Sequence, residues 1–344
     1  MKPIPRGGKT EKYMEQEIQV SVILLTYEPK WEKLERTARS ILRQTGIETE
    51  IVVGDDGSKN DLFPRLEALL RSGGARYTLH KCPRNVGTLR NALEALYRAK
   101  GEYVYLISPG DLLFDSRTLA DFYQFAKGQD APLLFGRAVY YNADETGVTV
   151  YRGKNLMPSR PDLYTPGGWK LARKVSFFLD SHILGAAFLR KREAAIRYME
   201  QVKPCSRYVE DATSTACALM DGQEVRFFDR NVVWYEYGTG LSAPDSKWGK
   251  IVAGEITECF GMLKQAFPKD PVLDAAVFKR SGPSRKRQLI RMLLRHPVLL
   301  GVMLYNRSRK PALADCTAEE ESLLQKFILE TTEQTGGSHG NQTV

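Results

Sequence analysis

The sequence predicts an α/β fold: a mostly parallel sheet flanked by helices, followed by a helical C-terminal extension. Three observations predict it. Apolar segments alternate with helical repeats at regular spacing through the first half of the chain. The first two segments, Ser21–Tyr27 and Ile51–Ser58, each run straight from apolar residues into polar ones. A helical pattern separates them, so the unit reads β-α-β with parallel strands, which need such a crossover.

The elements follow in order. Strands are expected at 20–25, 50–53, 76–80, 103–107 and 133–139, where β-branched and aromatic residues cluster. Helices are expected at 31–43, 62–71, 86–99 and 116–126. Leu34, Ala38, Ile41 and Leu42 repeat at helical spacing, as do Leu89, Ala92, Leu93 and Leu96. Residues 140–180 read as irregular, because Pro158, Pro161, Pro166 and Gly167-Gly168 break the chain. The apolar run 183–189 reads as a strand, 208–220 as a helix, and 225–228 and 232–237 as two further strands. Beyond Gly238–Ser242 the chain reads as mostly helical.

Length and composition set outer bounds. The chain has 344 residues, 42% hydrophobic and 26% charged, which suits one large domain with appendages, or two domains. We expect a disordered segment at 1–17, the α/β domain at 18–242, the helical extension at 243–335 and a disordered tail at 336–344. Cys82, Cys205, Cys217, Cys259 and Cys316 form no CxxC pair, and His80, His182, His296 and His339 show no metal-ligand spacing. A reducing cytosol fits that cysteine usage. No N-terminal apolar run has the form of a signal peptide.

The net charge of +9 is unevenly spread. Between Lys279 and Lys310 stand ten Lys or Arg and no Asp or Glu. The rest of the chain is near neutral. That argues against a nucleic-acid protein with a broad basic face and for a local anionic partner of the segment 279–310.

Polar sites stand at the ends of the elements. The first strand ends in Thr26-Tyr27-Glu28-Pro29 and the second in Asp55-Asp56-Gly57-Ser58. Arg84-Asn85-Val86-Gly87, with Arg90-Asn91, follows the third. Ser108-Pro109-Gly110-Asp111 follows the fourth, and Glu210-Asp211 opens a helix. In an open parallel sheet, ligands bind beyond the carboxyl ends of the strands. Each site also has a plain structural reading. Asp-Asp-Gly-Ser favours turns and caps, and acids in a first helical turn gain about 0.3–1 kcal/mol from the dipole.

The order of these sites resembles the family 2 glycosyltransferases, whose fold is the Rossmann-like GT-A nucleotide-sugar-binding fold. The resemblance covers roughly residues 18–240. It implies that Thr26, Tyr27 and Asp56 line a nucleobase pocket next to Glu28, with Asp55 and Asn85 shaping it. Arg90 would lie near the base or diphosphate. Asp111 would hold Mg²⁺ or Mn²⁺ against the diphosphate, with Ser108 beside it. Asp211 would be the general base, with Glu210 the next candidate.

One departure stands out. Members of that family usually carry Asp-x-Asp or Asp-x-Asp-Asp where this chain has Ser108-Pro109-Gly110-Asp111, so only the last acid remains. The loss bears on metal affinity more than on activity, since one carboxylate suffices when substrate phosphates complete the shell. His182 stands as a possible acceptor contact, with a structural role as its alternative. Trp169, Trp234 and Tyr235 suit either sugar stacking or core packing.

The segment 279–310 mixes basic residues with large aliphatic ones. Its longest uncharged run, 296–306, is too short to span a bilayer, which takes about 20 residues. A basic amphipathic helix at an anionic membrane surface fits that pattern. Together these readings imply an inverting, metal-dependent glycosyltransferase. It would take a nucleotide-sugar donor, with UDP the foremost nucleotide. Its acceptor would be a glycan or lipid-linked hydroxyl, in cell-surface polysaccharide or lipid-linked glycan synthesis. The location would be cytoplasmic, peripheral at the inner face of the cell membrane. The main rival is a nucleotide-binding or scaffold protein that keeps the fold without the chemistry. A nucleotidyltransferase would need a Gly-rich basic loop after the first strand, where this chain has Thr26-Tyr27-Glu28-Pro29.

Overall fold

The structure, a computed structural model, describes residues 17–144, 147–238, 247–280, 290, 294 and 297–336. Of the expected disordered segments 1–17 and 336–344, all but residues 17 and 336 lie outside the described residues, as do 239–246 and most of 281–296.

The first half alternates as the pattern predicts: β1 (Val20–Thr26), α1 (Trp31–Leu42), β2 (Thr49–Asp55), α2 (Phe63–Ser72), β3 (Tyr77–Lys81), α3 (Thr88–Leu96) and β4 (Tyr103–Ile107). β1, β2, β3 and β4 form one parallel block in the order β3-β2-β1-β4. Its register sets Thr26 opposite Asp55, and Asp55 opposite Lys81. The polar ends of three strands therefore reach the same edge of the sheet.

The second half is mixed. β5 (Leu112–Leu113) follows β4, then α4 (Thr118–Gln129) and β6 (Leu133–Asp144). β7 (Gly147–Val150) pairs antiparallel with β6. β8 (Phe188–Lys191) lies antiparallel between β4 and β6, and β9 (Val225–Glu236) runs parallel to β6. The full order is β3-β2-β1-β4-β8-β6-β9-β5. β6 and β9 shift register near Arg137. Gly136 sits there because a Cβ would lie 2.4 Å from Val232 Cγ1.

Several expectations are corrected here. Residues 140–180 are not irregular throughout: β6 continues to Asp144, β7 returns, and α5 (Trp169–Leu179) follows. The run 183–189 is not one strand. Gly185–Ala187 forms a 3₁₀ turn, and the strand begins only at Phe188. The two strands expected at 225–237 are one strand of 12 residues. α6 (Arg192–Val202) and the short β5 were not anticipated. α7 (Glu210–Met220) opens on its acids as expected.

Alternate residues of the strands feed two cores, one per face of the sheet. Ile23, Leu25, Val104 and Leu106 pack towards α3 and α5–α7. Val22, Leu24, Tyr103 and Tyr105 pack towards α1, α2 and α4. The C-terminal helices α8 (Lys247–Ala266), α9 (Pro271–Arg280), α10 (Pro297–Arg307) and α11 (Ala318–Gly336) do not stand apart. Phe260 and Leu263 of α8 and Leu273 of α9 join the first core. Leu324, Phe327 and Ile328 of α11 pack on Leu112, Tyr141 and Trp234. Trp234 stacks on Phe114 at 4.6 Å and donates to its carbonyl, so its ring serves the core.

Part of the basic segment is likewise committed to the α/β body. Lys279 Nζ lies 2.8 Å from Asp180 Oδ2, and Arg280 pairs with the same carboxylate. Phe260 should report this shared core. It is almost wholly buried, meets Phe177 edge-on at 4.9 Å and carries the Arg280 guanidinium over its ring. Phe260→Ala should cost about 3–5 kcal/mol in a denaturant titration and keep one cooperative transition. A loss confined to a separate C-terminal transition would show that the extension folds on its own.

Candidate active site

The site grows from the carboxyl edge of the parallel block. Thr26 ends β1 and donates through Oγ1 to Asp55 Oδ2 at 2.9 Å. Asp55 also accepts from the Ser58 backbone N–H at 2.8 Å and from Ser58 Oγ at 2.6 Å. The Glu28 backbone N–H donates in turn to Ser58 Oγ. Asp55 is buried, so its carboxylate serves as the knot tying β1 to β2. Glu28 takes a left-handed φ of 44° and accepts the Lys59 N–H through Oε1. Tyr27 projects into solvent. Beside this knot a small, shallow cleft is lined by Thr26, Pro29, Asp55, Asn60, Asp61 and Lys81 among others.

Asp56 is held differently. Its two carboxylate oxygens accept the backbone N–H groups of Val86 and Gly87 at 2.6 and 3.0 Å. Burial pushes its carboxyl above the usual range, while those two N–H groups and Arg207 pull it back. Asn85 is fixed through Oδ1 by Arg207 Nη2 at 3.0 Å. Arg90 is exposed on α3. No local signal pointed to Arg207, which precedes Glu210 by three residues and reaches Asn85 and Gly87 ahead of α3.

The fourth strand leads to a second station. Asp111 is buried, and its Oδ1 accepts the Glu236 backbone N–H at 3.0 Å. Glu236, at the end of β9, is buried too, and Lys33 Nζ of α1 lies 2.5 Å from its Oε2. Burial lifts the Asp111 carboxyl to about 8, and Glu236 adds to the rise. The Glu236 N–H and the Lys33 ammonium oppose it. Ser108 contributes its carbonyl, which accepts the Asp111 N–H at 3.0 Å. Gly110 has a φ of +107°, and a Cβ there would lie 2.4 Å from Glu236 Oε2. The space that an acidic side chain at 110 would enter is filled by a carboxylate delivered from another strand. Glu236 was missed because it stands 125 residues from Asp111 in a Tyr-Glu-Tyr run that signals nothing.

The third station is the start of α7. Asp211 Oδ2 accepts the Gly185 N–H at 3.0 Å, and its Oδ1 accepts the Ala212 N–H at 2.6 Å. Burial and the adjacent Asp211 push Glu210 up to about 7, against the pull of Arg190. His182 is half-buried. Burial lowers its pKa, and Asp180 and Asp211 pull it the other way. The loop leading into the acids is pinned by Glu255 of α8. Its Oε2 accepts from Ser206 Oγ, Tyr208 N and Val209 N at 2.9–3.0 Å. That clamp was invisible in the sequence, because it joins two segments that each read as plain helix.

The mixed sheet with its parallel block is a GT-A type of architecture. The chain belongs to glycosyl transferase family 2, whose pattern matches residues 21–199. It matches none of the curated proteins in sequence. Among solved structures it is similar to S. aureus TarS 1-349 in complex with UDP-GlcNAc, at 18% identity and a TM-score of 0.50, covering 81% of this chain and 72% of that one. It is also similar to the mannosyltransferase PcManGT from Pyrobaculum calidifontis in complex with GDP-Man and Mn²⁺. There the identity is 15% and the TM-score 0.49, over 93% of this chain and 85% of that one.

Gly110 gives the sharpest structural test of the second station. Gly110→Asp, which restores an acid to the motif, should lower stability by about 1–3 kcal/mol because of its backbone conformation. It should not tighten metal binding. A variant as stable as the parent that binds Mn²⁺ more tightly would mean that Glu236 does not occupy that place.

Proposed function

We propose that the protein transfers a sugar from a nucleoside diphosphate, with UDP the foremost candidate, to an acceptor hydroxyl with inversion at the anomeric carbon. The observation that carries this reading is the placement of the family motifs. Thr26, Asp55 and Asp56, then Asp111, stand at the carboxyl edge of the parallel block, and Asp211 opens a helix beside Gly185.

In this reading the base and ribose lie against the β1 and β2 ends, where Asp56 has already taken two N–H groups from its own chain. Its remaining lone pairs are directed acceptors for a base N–H. Asp111 and Glu236 would hold a divalent cation. The fit rests on their chemistry: two hard carboxylates suit Mg²⁺ or Mn²⁺ bound chiefly through substrate phosphates and water. No third Asp, Glu, His or Cys joins them in a metal-binding group among the described residues. When bound, the cation neutralises charge on the departing diphosphate. Asp211 takes the proton of the acceptor hydroxyl. The hydroxyl oxygen attacks the anomeric carbon from the face opposite the diphosphate, and the diphosphate leaves with the bonding electrons. Calorimetry with UDP and Mn²⁺ tests the assignment. Asp111→Asn and Glu236→Gln should each abolish or sharply weaken metal-dependent binding. Asp211→Asn should bind normally yet turn over at least ~10²-fold more slowly. Parent-like binding in Asp111→Asn, or parent-like turnover in Asp211→Asn, would remove that residue from its role.

The acceptor belongs, in this proposal, to a lipid-linked or surface glycan reached at an anionic membrane face. Ile290, Leu294, Val298 and Leu304 are large apolar side chains left exposed in a segment that also carries the exposed Arg307, Arg309 and Lys310. No helix among the described residues is long and apolar enough to cross a membrane. The combination suits a helix lying in the headgroup region. Leu294→Glu with Val298→Glu should release the protein from vesicles of anionic phospholipid without changing its affinity for UDP. Raised salt should weaken vesicle binding of the parent. A parent that ignores such vesicles at low salt would exclude the surface role.

A further inference from the structure

Beneath the Glu210-Asp211 pair lies a charge that the chemistry above leaves unused. Arg190, in β8, is among the largest fully buried side chains, only 1% exposed. Its Nε, Nη1 and Nη2 make no hydrogen bond among the described residues. The Phe188 ring lies 4.9 Å from its guanidinium. Glu210 is its ion-pair partner, with Oε1 at 3.8 Å from Nη2. The guanidinium cannot shed its proton, and a buried charge left without a counter-ion costs several kcal/mol. The ionised Glu210 carboxylate is the counter-ion this charge has beside it.

Glu210 and Asp211 stand side by side over one short segment. A Cβ on Gly185 would lie 3.1 Å from Glu210 Oε1 and 3.2 Å from Asp211 Oδ2. Yet the two are held in different ways. Asp211 is oriented by the Gly185 and Ala212 N–H groups. Glu210 faces Arg190, with no side-chain hydrogen bond to the guanidinium. We propose that Arg190 is a positioning residue: its sealed guanidinium claims the Glu210 carboxylate and so leaves Asp211 as the carboxylate available to an acceptor hydroxyl. This rests on the reading of Asp211 as the base.

The charged groups around the pair are few. Arg190 faces Glu210 from β8 and Asp211 neighbours it on α7. His182 reaches Asp211 electrostatically, and Asp180, Lys279 and Arg280 surround His182. The Tyr198 and Thr215 hydroxyls also line the space around Arg190 but carry no charge.

The test compares Arg190→Met, Arg190→Lys, Glu210→Gln and the Arg190→Met/Glu210→Gln double variant with the parent. Glu210 titration is followed by ¹³C NMR with labelled glutamate, and cleavage is followed with a panel of nucleotide sugars. Arg190→Met should raise the pH at which Glu210 titrates by about one unit or more, because an opposite charge within a few ångströms is lost. It should lower kcat about tenfold with donor KM unchanged. Arg190→Lys, which keeps the charge, should stay near the parent in both. A folded Arg190→Met protein with parent titration and parent kcat overturns the proposal. Should Arg190→Met fail to fold, the double variant decides: it must melt above Glu210→Gln, and if it does not, the two groups are not counter-ions and the proposal falls. If the parent cleaves no nucleotide sugar, the transferase reading fails, while the Glu210 titration still tests the pair.

Discussion

The structure depends on the parallel register of β1 and β2. It fixes Thr26 opposite Asp55, and the buried hydrogen bond between them closes the carboxyl edge of the sheet. A slip of one residue would turn every side chain of a strand to the opposite face, mixing the two cores and dispersing the polar ends. Both faces of these strands are buried in differently shaped cores, and that two-sided packing opposes the slip. The same packing that buries Ile23 and Leu24 therefore delivers Thr26, Asp55 and Asp56 to one place.

From that edge the other stations are reached through long-range contacts. Asp111 follows β4 directly and is locked to β9 by the Glu236 N–H. Lys33 ties the same carboxylate pair to α1. The third station depends on the C-terminal extension, because Glu255 of α8 clamps the loop before the α7 acids. Buried carboxylates recur at every step, and each is matched by N–H groups or a cation. Unmatched, such groups would cost more than the marginal stability of a domain can bear.

The parallel block and its motif positions were legible in the sequence, because strand, helix and turn signals there are local. Thr26, Asp55, Asp56, Asp111 and Asp211 all lie at element ends, where polar residues break an apolar run. Three kinds of feature were not legible. The run 183–189 looked like a strand because an apolar stretch does not reveal a 3₁₀ turn at Gly185–Ala187. Glu236, Arg207 and Glu255 act on residues far away in the chain, and no local spacing marks them. Arg190 sits in Leu-Arg-Lys-Arg-Glu, a string that reads as solvated surface although its first arginine is buried.

The missing acids of the fourth-strand motif also gain a physical reason. A backbone at φ +107° with a carboxylate against it strongly favours glycine at 110, so the chain keeps two acids at this station but draws them from two strands. A crystal structure with UDP and Mn²⁺ bound tests this most directly. The expected density places the base against Thr26 and Asp56 and the cation between the diphosphate and the Asp111–Glu236 pair. A nucleotide bound away from the β1 and β2 ends, or a cation held by other residues, would contradict it.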